Sequence, residues 1–113
     1  MGTIRNEITI VHHWDLEKIN SLRKTAVETF NKVEGYEHLE MVSPIMKSFM
    51  NSEYTFIING ECSKVGWGIA ERFHKIRMEW CKKHKESGAQ IVVVNLGEDD
   101  RSYIVFDSES EEE

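Results

Sequence analysis

No apolar run in this chain approaches the roughly 18–20 residues that a membrane-spanning helix requires. Its start has no basic segment leading into an apolar one, so the pattern predicts a protein that stays in the cytoplasm and engages no membrane. Cysteine occurs only twice, at Cys62 and Cys81, too few for a disulfide framework, which points to reduced thiols. Proline occurs once, and with 40% apolar and 30% charged residues the composition is that of an ordinary globular domain. Chemical motifs are missing as well. There is no nucleophile beside an obvious base, no clustered carboxylate pair and no paired Cys/His spacing for zinc, so the sequence nominates no catalytic residue, metal ligand or cofactor.

What is present fits one domain with one core in 113 residues. The net charge of −6 is unevenly placed. Residues 98–113 carry eight carboxylates against Arg101 alone, so everything before them sums to +1. A protein imitating a nucleic-acid backbone would spread its carboxylates over a folded face. Here the surplus collects at one end, and residues 108–113 read as a solvated, flexible acidic tail after a domain spanning 1–107.

Along the chain, residues 7–14 are rich in β-branched and aromatic side chains and predict a strand. Asp15 suits a helix N-cap, and apolar residues from Leu16 to Val33 recur at helical spacing, with Gly35 placed to end the helix. Residues 36–53 are open to two readings. Ser43-Pro44 would start a short helix, whereas a strand at 45–49 turning at Asn51-Ser52 would pair with 54–59; the hairpin is preferred. A second helix is expected over 69–87, with Ile69, Phe73, Ile76 and Trp80 inward, and Gly88 at its end. Residues 89–95 form a nearly continuous apolar strand of the kind buried on both sides, followed by a turn with Gly97, Asp99 and Asp100 and a return strand over 102–107. The pattern predicts an α+β two-layer sandwich: a mixed or mostly antiparallel sheet with two main helices on one face. The long connection between 54–59 and 89–95 favours a parallel crossover and hence a mixed sheet.

The stretch most suggestive of a site is the glycine turn over 60–68, lying between a strand and a helix start, where backbone N–H groups and the positive end of a helix dipole converge. Lys64 precedes Gly66 instead of following it, so neither a phosphate-binding P-loop nor a dinucleotide fingerprint is present. Candidate partner- or anion-binding residues are Gly60, Ser63, Lys64, Gly66, Trp67 and Gly68 in the turn, with Arg23 and Arg77 able to join if they converge there. Trp67 reads as an interface anchor, and Met78 as an outward apolar residue among the lysines of the second helix. His12 and His13 are adjacent on a strand and face opposite ways, and Cys81 with His84 makes only half a metal site.

These features favour a small accessory protein that binds a macromolecular, protein partner. Its size and acidic end suit a regulator or inhibitor of a larger enzyme, including one carried by a mobile element. The alternatives are a small-anion or nucleotide binder using the glycine turn, and nucleic-acid binding through the basic helix 69–87. A homodimer is compatible with all three.

Overall fold

A computed structural model describes residues 4–37, 39–96 and 102–110. The turn expected at Gly97–Asp100 and the last three glutamates of the tail lie outside them. The chain runs β1 (Ile4–Arg5), β2 (Glu7–His13), α1 (Leu16–Phe30), β3 (Met46–Lys47), β4 (Tyr54–Ile58), β5 (Ser63–Lys64), α2 (Gly68–Lys83), β6 (Gln90–Asn95) and β7 (Tyr103–Asp107). Five strands form one sheet in the order β3-β4-β2-β6-β7, and β1 pairs with β5 in a separate two-stranded ladder.

All neighbouring strands are antiparallel, so of the two sheets expected, mixed or mostly antiparallel, the second is found and not the mixed one that the long connection favoured. The predicted crossover exists, for β4 and β6 run the same way on either side of α2, but β2 is inserted between them. In the same manner β4 separates β2 from β3. Two split βαβ units are thus interleaved, a ferredoxin-like connectivity with β7 added at one edge. Many unrelated functions share such a scaffold, so the connectivity names none.

Local chemistry explains the elements. The Asp15 carboxylate accepts the amides of Glu17 and Lys18 at 2.9 and 3.4 Å, capping α1. Ile19, Leu22, Ala26 and Phe30 recur at helical spacing and are buried. The helix stops at Phe30, three residues short of Val33, because Asn31 becomes its C-cap and offers its side-chain oxygen to the Met41 amide at 2.9 Å. Gly35, with φ +90°, serves the following turn instead. The hairpin forms as preferred: Met46 faces Thr55, Lys47 faces Tyr54, and Asn51 and Ser52 take the positive φ values of the reversal. The helix-facing side of the sheet is set by alternate residues: Val11 of β2, Phe56 and Ile58 of β4, Ile91 and Val93 of β6. They pack under Ile19, Phe30, Phe73 and Trp80, each fully buried large side chain contributing roughly 1.5–3 kcal/mol.

At the C-terminal end, Ser108 is bonded to β6. The Ser108 amide donates to Ile91 O at 2.8 Å, and the Ile91 amide donates to the Ser108 hydroxyl at the same distance.

Candidate functional site

The glycine turn is a stitched structure. The Cβ of any larger residue at Gly60 would meet Asn6 Oδ1 at 2.1 Å and Glu7 O at 2.8 Å, so only glycine lets β4 leave the sheet against the start of β2. Cys62 follows with φ +53°, then Ser63 and Lys64 pair with Arg5 and Ile4. Gly66, at φ +98°, reverses the chain into Trp67, the N-cap of α2.

Three of the donors that would hold an anion here, the Gly66 and Trp67 amides and the Ser63 hydroxyl, have partners within the chain. The Gly66 amide donates to Glu71 Oε2 at 3.1 Å, and the Trp67 amide donates to Lys64 O at 3.1 Å. Ser63 is buried and donates to Glu61 Oε2 at 3.2 Å. Glu71 is anchored in turn by Arg5 at 3.4 Å, so a carboxylate of this protein occupies the anion position of the turn. The Lys64 ammonium lies 5.5 Å from the centre of the Trp67 ring. Trp67 itself is 54% exposed and makes no side-chain cap. Val65 beside it is also exposed, and Gly68 begins the helix in open space.

Arg23 and Arg77 do not form a joint anion fork. None of Arg77 reaches solvent. Its Nη1 donates to Thr9 Oγ1 at 2.7 Å and Ile58 O at 3.2 Å, and its Nη2 to Asn59 O at 2.7 Å, while Nε is buried without a partner. Burial pushes its pKa down, with Glu61 the main opposing influence. Arg23 donates from Nε to Ser43 O at 2.7 Å and lines a separate shallow cleft with Met41, Pro44 and Ile57. Met78 is half-buried and packs against the core, correcting its outward placement. The buried arc of α2 is centred on Arg77, with Ala70, Phe73, Trp80 and Cys81, so it reaches round to Met78.

Sequence reasoning missed the polar seam that Arg77 belongs to. Glu7, only 4% exposed, accepts from His74 Nδ1 through both carboxylate oxygens at 2.8 and 2.9 Å. Glu61 lies nearby with its carboxyl pKa raised by burial, and the Cys81 thiol is pushed up to about 12 by the same cause. A thiol so buried is inert, and Cys62 is the exposed one. The legible signal was an acidic residue at an inward position of β2, in register with Thr9 and Val11.

The two strand histidines separate as alternation requires. His13 is buried on the helix side and accepts the Asp15 amide at 2.8 Å. His12 sits on the other side, with Nδ1 2.7 Å from Thr55 Oγ1 and Nε2 paired with Glu53. Hydroxyl, imidazole and carboxylate stand in the order of a hydrolase triad. However, His12 and Thr55 lie mid-ladder on strands paired on both sides, where backbone amides are spent on neighbours and none is free for an oxyanion. The row acts as a cross-strand clamp. Among the described residues no three His, Cys, Asp or Glu side chains gather as a metal site, and no helix is long and apolar enough to cross a membrane.

The side of the sheet away from the helices carries Ile8, Ile10, Ile57, Val92, Val94 and Ile104, of which Ile10 and Ile104 are exposed and the other four half-buried. Compared with descriptions of known protein families, with curated proteins and with solved structures, the chain matches none.

Proposed function

We propose that this chain is a small accessory protein that works by binding a macromolecular partner, with the turn 64–68 as the contact. The observation that carries this reading is Trp67, half exposed at the start of α2 on a loop braced by the β1–β5 ladder, the close fit of Gly60 and the Glu71–Gly66 bond. A rigid aromatic displayed at low conformational cost is what interface hot spots consist of. Lys64 at the ring and exposed Val65 extend the contact to a mixed apolar and cationic patch. Internal bonding of Gly66 and Ser63 weighs against the small-anion reading, since a phosphate would have to displace Glu71. Reduced cysteines and the absence of a spanning helix among the described residues fit a cytoplasmic setting for that partner.

The test is affinity capture from the native host with wild type and Trp67→Ala in parallel. The variant keeps the fold, because the ring contributes nothing to the core, and loses a protein that wild type retains. Identical captured sets, with both chains equally stable, refute the assignment of this turn.

A further inference from the structure

We infer that the uncovered face of the sheet seats a second copy of this chain, the two sheets stacked face to face about a two-fold axis. This goes beyond the Trp67 reading and uses a different surface. An antiparallel sheet with one solvated face normally alternates apolar with polar residues. Here the alternation fails on four strands. Ile10 of β2 faces Ile57 of β4 on one side and Val92 of β6 on the other. Ile8 faces Val94, which faces Ile104 of β7. These six aliphatic side chains are contiguous; Ile10 and Ile104 are 38% and 61% exposed, and the other four are half-buried.

The face is large enough for an occupant of this kind. Five strands about 4.8 Å apart, two to seven residues long with each residue rising about 3.3 Å, give a surface of roughly 20 by 20 Å. Laid on its own copy, with Met46 and Leu96 at the margins, it removes on the order of 1,000 Å² in total, where specific interfaces begin. Two sheets of equal twist stack about 10 Å apart with their strands within about 30°.

A second copy fits better than another occupant because the centre of the patch has no charge or hydrogen-bonding group to oppose its own image or to select a different partner. Polar groups at its margin have partners within the chain: His12 with Thr55 and Glu53, Gln90 with Glu109, and Asp107 Oδ1 with the Glu109 amide. A single-stranded nucleic acid would want basic and aromatic side chains on the face, and the six central residues include neither.

Sedimentation velocity on the full chain, from micromolar to submillimolar concentration, is expected to show a mass rising from 13.2 kDa towards twice that. Ile10→Lys, confirmed as folded by circular dichroism, stays monomeric throughout. Val92→Thr, close in shape and equally suited to a strand, weakens the dimer about tenfold or more. Trp67→Ala leaves dimerisation unchanged. A wild-type chain that is monomeric at the highest concentration overturns the proposal, and so does a dimer that survives both face substitutions. A monomer that floats with neutral phosphatidylcholine vesicles overturns it in favour of a lipid occupant.

Discussion

Replacing Arg77 by methionine is expected to destabilise the protein by about 2–4 kcal/mol. The guanidinium makes three hydrogen bonds that tie α2 to Thr9 of β2 and to the end of β4. A hydrogen bond from a charged donor contributes roughly 1.5–3 kcal/mol, so the set is worth about 5–9 kcal/mol before other effects. Against this stands desolvation of a buried ion, several kcal/mol after relaxation. Among the described residues no carboxylate comes within ion-pair distance of Arg77 to offset it. The unpartnered Nε adds to that penalty. Methionine keeps an apolar stem beside Phe30, whose ring centre is 5.4 Å from the guanidinium, so little cavity opens and the polar balance decides the outcome. What remains is the loss from leaving a hydroxyl and two carbonyls without this donor. Urea unfolding followed by tryptophan fluorescence should show an unchanged slope with a lower midpoint, and the melting temperature should fall on the order of 10 °C. A variant as stable as wild type, or more so, refutes the reasoning. Desolvation would then outweigh the bonds, and Arg77 would be held in the seam for a reason other than stability.

Two further outcomes follow from the same region. Gly60→Ala forces a methyl group against the Glu7 carbonyl, a backbone atom with little freedom to withdraw, and should cost about 1–3 kcal/mol while raising amide exchange in β1 and β5; unchanged stability and protection would show that the close approach is not a constraint. Glu61→Gln tests the seam by pH. Burial raises the Glu61 carboxyl above its ordinary 4.5, so the folded state holds that proton more tightly than the unfolded state does. Its contribution to stability is full below 4.5 and is lost as pH rises through the folded value. Glutamine still accepts the Ser63 hydroxyl and carries no charge, so the variant should gain on wild type as pH rises and be the more stable at neutral pH. Parallel urea midpoints across that range would contradict the burial argument.

Features set by neighbours in the chain were legible in the sequence. Asp15 before an apolar stripe marked the start of α1, and Asn51-Ser52 between apolar runs marked the hairpin, because capping and reversal are decided within a few residues. Strand order was not legible. Nothing local to β4 or β6 shows that β2 will slide between them, since that pairing joins residues more than forty positions apart. The inward face of α2 was misjudged for a related reason. Periodicity places an arginine at the flank of an apolar arc, whereas Thr9 and the carbonyls of Ile58 and Asn59 give this one a reason to enter the core. Likewise nothing local to Glu71 shows that its carboxylate will fill the glycine turn five residues back. The apolar run over 89–95 was expected to be buried on both sides, whereas Ile91, Val93 and Asn95 are buried and Val92 and Val94 on the other side are only half-buried.

That unmatched half of the pattern bears on the display of Trp67. The turn belongs to the start of α2, in the layer that packs on the inner side of the sheet, whereas Ile8, Ile10, Ile57, Val92, Val94 and Ile104 point the other way. Stacking two sheets by their uncovered faces therefore turns both helical layers outward and leaves both Trp67 rings free. A dimer so built offers two identical anchors held by rigid elements, and a partner with two matching sites would meet the second as an intramolecular event. Weak contacts by single turns then suffice for stable capture. Ile10→Lys should accordingly weaken binding to a bivalent partner without touching the Trp67 contact, whereas Trp67→Ala should abolish binding to monovalent and bivalent partners alike. If Ile10→Lys leaves binding to a bivalent partner at full strength, the two surfaces act independently and the avidity argument fails.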